Sequence, residues 1–244
     1  MRDEPLSHRL LAEGLGSALL AATVVGSGIM AQRLAGGNVA IALLANTGAT
    51  VAVLYALIAL LGPVSGAHFN PAVSGIEALR GRLSWKQAAG YVVMQIIGCC
   101  AGAWLAHLMF ELPVWQLSTH VRSGLAQWLA EAVATFGLLL IVIGHRRKEE
   151  APWMVACWIG AAYWFTASTS FANPAITIAR SLTDTFAGIR PIDMPAFIGA
   201  QLIGAIAALG IGRVLFTVTK PIVSPAVESS LSPSDEKRSE ALNA

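Results

Sequence analysis

Charge is scarce in this chain. Of its 244 residues only 12% are Asp, Glu, Lys or Arg, against about 25% in a soluble domain. Hydrophobic residues make up 55%, and mean hydropathy is +0.64. This balance excludes an ordinary soluble domain and points to a chain that lives in lipid. The net charge is only +2, and no basic stripe is interleaved with aromatics, so a nucleic-acid partner is not expected. Cysteine is scarce too. Cys99, Cys100 and Cys157 lie inside apolar runs, with no His or second Cys pair at ligand spacing. That excludes a disulfide framework or a zinc site. They read as small packing residues, with thiol contact to a soft permeant solute as the alternative. No nucleophile–base pair, metal cluster or phosphate loop stands out. Neither an enzyme nor a cofactor or metal is expected.

What is present is long apolar sequence. A membrane-spanning helix needs about 20 apolar residues. Six stretches qualify or nearly do: 8–32, 39–61, 86–110, 124–145, 152–170 and 195–217. The first is longer than the apolar core of a cleavable signal, about 7–15 residues, so it reads as an uncleaved span. All six are rich in Gly and Ala, which let helices approach closely in lipid. Residues 1–220 read as one membrane domain, and the polar tail 221–244 as disordered.

Two shorter apolar pieces remain, 70–80 and 173–183. At a rise of ~1.5 Å per residue neither can cross the hydrocarbon core. Both begin Asn-Pro-Ala: Asn70-Pro71-Ala72 and Asn173-Pro174-Ala175. Asn is among the best N-caps, and Pro is pre-set for the first helical position. Each piece therefore reads as a half-helix starting at membrane depth. Irregular backbone there is tolerated only when it is buried or lines a watery cavity. Two such pieces imply a cavity.

The chain repeats itself. The first half (8–111) and the second (124–217) match at three places in the same order. "LAEGLGSALL" (11–20) pairs with "LAEAVATFGLLL" (129–140), aligning Glu13 with Glu131 and Ser17 with Thr135. "FNPAVSG" pairs with "ANPAITI", and "MQIIGCCAGA" (94–103) with "AQLIGAIAAL" (200–209), aligning Gln95 with Gln201. Three spans per half is an odd number, so the second copy enters from the opposite side. Interrupted helices at matching positions of an inverted repeat mark a solute pathway. With the N-terminus in the cytoplasm, twelve of the sixteen Lys and Arg lie inside and four outside, as the positive-inside rule asks.

Glu13 and Glu131 are carboxylates within spans, a costly placement. Equivalent carboxylates in both halves favour a structural role, accepting hydrogen bonds from the backbone that leads into each half-helix. Proton coupling in a secondary transporter is the alternative.

Together, the two Asn-Pro-Ala half-helices, the paired Ala-Glu and the paired Gln-x-x-Gly resemble the aquaporin/aquaglyceroporin superfamily of major intrinsic proteins. "SGAHFNPAV" (65–73) is a close match to its first signature. The resemblance implies an all-α membrane protein: a right-handed bundle of six transmembrane helices plus two re-entrant half-helices. It implies one pore per protomer, a homotetramer in the bacterial inner membrane, and neutral solutes as the only other partners. Asn70 and Asn173 would line the pore midpoint, with His68 beside them, and the carbonyls of 66–68 and 170–172 would form an acceptor ladder.

One letter departs from the family. The second signature commonly continues with Arg, and here Ile176 stands in its place. Arg180 follows one turn later, either overlooking the mouth or serving as an anchor or a partner for Asp184. Gapless counting from the two Asn gives Thr50, Ala161 and Ser170 as the other outer-filter positions. With Ile176 they would make a wide, weakly polar filter without arginine. "NPAITIARSLTDTFAGIRP" (173–191) also resembles a bacterial subgroup associated with arsenic resistance. The expectation is a passive channel for water, polyols and arsenite or methylated arsenicals. A water, glycerol or urea facilitator without a metalloid role is the nearest alternative.

Overall fold

A computed structural model describes residues 4–145 and 147–216. The expected tail 221–244 lies outside the described residues. Among them, every regular element is helical. In chain order these are α1 (Leu6–Leu34), α2 (Val39–Ser65), α3 (Pro71–Leu79), α4 (Trp85–Met109), α5 (Leu125–Gly144), α6 (Ala151–Phe165), α7 (Pro174–Arg180) and α8 (Met194–Leu215). A 3-10 turn at Lys148–Glu150 leads into α6.

Five helices, α1, α2, α4, α5 and α8, are long and apolar enough to cross a membrane. The fifth expected span differs. The sequence suggests 152–170, but α6 stops at Phe165 after 15 residues. Its continuation, "TASTS" (166–170), is dense in Ser and Thr, whose side chains compete with the helix for backbone partners. The Thr166 hydroxyl donates back to the Ala162 carbonyl at 2.6 Å, and Thr166 itself takes extended backbone. The second half-helix is also shorter than the expected 173–183, because the chain leaves the helix after Arg180.

Helix pairing follows the repeat. α1 packs on α4 in the first half, and α5 packs on α8 in the second. Glycine sets both crossings. A Cβ on Gly98 would lie 2.2 Å from the Gly14 carbonyl oxygen, and one on Gly204 would lie 2.1 Å from that of Ala132. Only a residue without Cβ allows these backbones to meet. Large apolar side chains such as Leu44, Leu60, Val93, Ile97, Ile203 and Ile206 point outward. The interior instead combines apolar residues, many of them small, with 25 buried polar or charged ones among the described residues, an arrangement suited to lipid outside and a polar path inside.

The connection between the halves lies along the loop that follows α7. Ser118 N donates to Ser181 O at 3.0 Å, and Arg190 N to His120 O at 2.8 Å. His107, near the end of α4, places Nε2 2.8 Å from the Thr183 hydroxyl. These bonds cover the loop beyond α7 with a layer to which both halves contribute.

Candidate functional site

Each half-helix begins at an Asn whose side chain closes its first turn. Asn70 Oδ1 accepts from Ala72 N at 2.9 Å. Asn173 Oδ1 accepts from Ala175 N at 3.0 Å and Ile176 N at 3.3 Å. Pro71 and Pro174 occupy the first helical positions, where a missing N–H costs nothing. The two N-termini meet. Asn70 Nδ2 donates to Ala172 O at 2.8 Å, and Asn173 Nδ2 donates to Phe69 O at 2.8 Å. An amide carries two N–H groups. One is committed to the opposite half's backbone, and the other is left over from that bond.

The loops before the half-helices share an unusual backbone. Ala67 and Phe69 have φ of 50° and 48°, and Ser170 and Ala172 have 50° and 49°. Non-glycine residues in this left-handed region cost of order 1–3 kcal/mol each and persist only when their surroundings hold them. The holder is a buried carboxylate in each half. Glu13 accepts from His68 N at 2.9 Å, Phe69 N at 2.7 Å, Ser65 Oγ at 2.6 Å and Gln95 Nε2 at 2.8 Å. Glu131 accepts from Phe171 N at 2.8 Å, Ala172 N at 2.9 Å and Gln201 Nε2 at 2.6 Å. Both carboxylates are fully enclosed. Their helix dipoles add to the effect, because each half-helix N-terminus carries about half a positive charge.

The Gln-x-x-Gly repeat now has a physical reading. Gln95 and Gln201 bridge carboxylate to half-helix, reaching Ser74 Oγ and Thr177 Oγ1 at 2.9 Å each. The glycine three residues on, Gly98 or Gly204, lets the helix come close enough for that bridge. His68 sits at the first loop, its Nδ1 3.0 Å from Ser74 Oγ and its ring edge-on to Tyr91. Tyr91 is fully enclosed and donates to Ser65 O at 2.8 Å. The sequence offered no signal for it beyond one aromatic in an apolar helix.

Around the other end of the pathway the expected residues only partly converge. Thr50 and Ser170 are buried, as is Ile176 in the first turn of α7. Ser170 Oγ has no partner among the described residues. Ala161 does not join them. It is exposed, on the outward face of α6 with Trp153, Cys157 and Trp164. Instead Tyr163 is buried, with its hydroxyl 3.3 Å from Thr50 Oγ1. The inward residue of α6 is displaced by two from the gapless count, and three left-handed residues, Thr169, Ser170 and Ala172, lie between α6 and Asn173. A shift of two residues turns a helix face by about 200°.

Arg180 is buried. Its Nε donates to the Ala187 carbonyl, and its guanidinium lies over the Phe171 ring. It does not pair with Asp184, whose carboxylate accepts from Thr119 N at 2.7 Å and Thr119 Oγ1 at 2.9 Å. Arg122 approaches the same ring from the connecting loop, a placement that its loop sequence did not signal. The cysteines stay apart from this pathway. Cys99 packs on the Ser17 carbonyl, and Cys157 is exposed. No group of three or more His, Cys, Asp or Glu suited to a metal occurs among the described residues.

Two half-helices joined N-terminus to N-terminus inside an inverted repeat define a narrow class of proteins. The family model described as major intrinsic protein matches residues 1–167. The chain is 54% identical over 225 residues to an aquaglyceroporin, AqpS, of Rhizobium meliloti, covering 91% of this chain and 96% of that one. The chain belongs to the major intrinsic protein family. As a member it is a multi-pass membrane channel and not an enzyme. A probable glycerol uptake facilitator protein of Thermotoga maritima is 32% identical over 131 residues, spanning 48% of this chain and 55% of that one. The crystallographic aquaglyceroporin of Plasmodium falciparum superposes with a TM-score of 0.63 at 18% identity, covering 87% of this major intrinsic protein and 98% of that chain. That likeness supports the fold alone.

Proposed function

We propose that this channel conducts small neutral solutes, including water, polyols such as glycerol, and arsenite or methylated arsenicals in their neutral forms. The observation that carries the reading is Ile176. It is buried at the start of α7, at the position where an arginine would otherwise narrow the mouth and present a donor fork. An aliphatic side chain there neither binds solute oxygens nor carries charge. Similarity to proteins named aquaglyceroporin supports the polyol part, and the wording of 173–191 supports the arsenical part. Neutral arsenous acid is a small polyhydroxide, so the same donors and acceptors suit it.

Asn70 and Asn173 take the role of midpoint donors, and Thr50, Ser170 and Ile176 that of the outer filter, with Tyr163 replacing Ala161. The filter is therefore less open than a set of uniformly small residues. Glu13 and Glu131 support the half-helices. A proton-coupled carrier is disfavoured because each carboxylate already accepts three or four hydrogen bonds. Both termini face the cytoplasm of a bacterial inner membrane, and the mouth beyond α7 faces out. The assembly is a homotetramer, each protomer with its own pore.

The test is uptake in proteoliposomes, with water, glycerol, urea and arsenite measured in parallel. Ile176→Arg is expected to slow the larger solutes while sparing water. Unchanged uptake of bulky neutral solutes would remove Ile176 from the filter. Arsenite flux no greater than in empty liposomes would reduce the reading to a polyol and water facilitator.

A further inference from the structure

The position after the second Asn-Pro-Ala has lost its charge, yet two guanidiniums stand close by. Arg180 places its Cζ 3.4 Å from the centroid of the Phe171 ring, and Arg122 places its Cζ at 5.1 Å. Phe171 lies between Ser170 and Ala172, in the loop that Glu131 holds by the Phe171 amide. Both charges are thus anchored to the loop that delivers the second half-helix.

Their other contacts are to backbone carbonyls. Arg180 Nε donates to Ala187 O. Arg122 donates from Nε to Gly188 O at 2.7 Å and from Nη1 to Ser168 O at 3.3 Å. Carbonyls satisfy N–H groups without cancelling a net charge. Neither guanidinium forms an ion pair among the described residues. The nearby acidic groups are Asp193, which accepts from Arg122 N at 2.9 Å but is paired with Arg190, and Glu131, whose oxygens are taken up by Phe171, Ala172 and Gln201. With the Asp193–Arg190 pair neutral, Glu131 is the one carboxylate left to set against the two guanidiniums. Two positive groups against one negative leave this end of the pathway positive. An aromatic face holds a guanidinium in place, and in a low-dielectric wall its field reaches further than in water.

We infer that Arg122 and Arg180, held on Phe171, form the cation barrier of this channel in place of the charge missing at Ile176. The inference rests on the channel reading above. It separates two tasks that a single filter arginine would combine. Bore is set by the side chains at the filter, and charge discrimination by two guanidiniums set back against the loop wall. The cost to cations then comes from this field together with the two half-helix N-termini.

The experiment uses the full chain in proteoliposomes and reads two quantities: glycerol flux, and proton and potassium leak under an imposed gradient. The Arg122→Gln/Arg180→Gln double variant is expected to raise the ratio of cation leak to glycerol flux at least tenfold. Arg122→Lys/Arg180→Lys, which keeps both charges, is expected to stay within about threefold of the unmodified protein. An unchanged ratio in the Gln variant overturns the inference, and so does a Lys variant as leaky as the Gln variant, since that would make geometry rather than charge decisive. If the double variant does not insert, Arg122→Gln alone carries the test, because this side chain is only half-buried in a loop. An unchanged ratio there overturns the inference equally. Glycerol flux absent from the unmodified protein would instead sink the channel reading, a separate and recognisable outcome.

Discussion

Asn70 Nδ2 donates to the Ala172 carbonyl at 2.8 Å, and Asn173 Nδ2 returns the same bond to Phe69 at 2.8 Å. Each capping residue thus fixes the backbone that leads to the other. The two half-helices behave as one unit, and disturbing either Asn reaches both halves.

Asn70→Asp separates the two jobs of that side chain. The aspartate keeps an oxygen to cap Ala72 N but has no donor for Ala172 O. Asn70→Ala loses both, at about 0.5–2 kcal/mol for the cap and about 1 kcal/mol for the cross-bond. Both variants should lower the thermal midpoint in detergent. The aspartate should be the more damaging to solute flux, because it brings negative charge against a carbonyl at the midpoint. A flux equal to that of the parent would show that the cross-bond is dispensable.

Glu131→Gln leaves a shape-matched side chain with one acceptor fewer. Phe171 N, Ala172 N and Gln201 Nε2 cannot then all be satisfied, and a stranded buried amide costs about 1–3 kcal/mol. The left-handed Ser170 and Ala172 lose their holder as well. Lower yield of folded protein and a lower thermal midpoint are expected, with residual flux still independent of an uncoupler. Uncoupler sensitivity in the parent protein would restore the proton-relay alternative.

Gly98→Ala and Gly204→Ala should weaken the protein at the two helix crossings. The added Cβ would stand 2.2 Å or 2.1 Å from a backbone carbonyl oxygen, which cannot swing aside as a side chain would. Overpacking of this kind costs about 1–3 kcal/mol or more. It should also lengthen the Gln95–Glu13 or Gln201–Glu131 bridge. Gly36→Ala is the control for backbone crowding, since nothing lies within 4 Å of the position, although its φ of 55° adds some strain. Equal thermal midpoints for Gly98→Ala and Gly36→Ala would count against the crossing argument.

Asp184 makes the layer over the α7 mouth sensitive to acid. The bond from the Thr119 amide holds its carboxyl below the usual range, helped by the Thr119 hydroxyl. A depressed folded-state pKa means a contribution to stability that is present above the unfolded value, about 3.9. That contribution fades as pH falls through the lower folded value. Amide exchange at Thr119 should therefore quicken only in strong acid. In Asp184→Ala, which removes the acceptor, it should be fast already at neutral pH and respond little to acid. A Thr119 amide equally protected in both proteins would rule this anchor out.

Much of this arrangement is local and therefore legible in one dimension. Asn followed by Pro caps and starts a helix by its own geometry, wherever it stands. Glu13 with Glu131 and Gln95 with Gln201 could be paired by order alone, because the repeat keeps their places. Their contact could not be read, since it joins residues 82 and 70 positions apart. The end of α6 at Phe165 is not legible in the apolar run, which does not reveal where Ser and Thr hydroxyls recapture the backbone.

The sequence by itself determined the class of protein: lipid-facing helices, two capped half-helices and an inverted repeat, all written in composition, caps and spacing. Tertiary structure alone decided which face of α6 looks inward. It turns Tyr163 toward Thr50 and leaves Ala161 exposed, with three left-handed residues, Thr169, Ser170 and Ala172, between that helix and Asn173. It also brought two guanidiniums to one aromatic ring. Arg122 and Arg180 are 58 positions apart in the sequence, and only the closure of the connecting loop onto the chain after α7 brings both to Phe171.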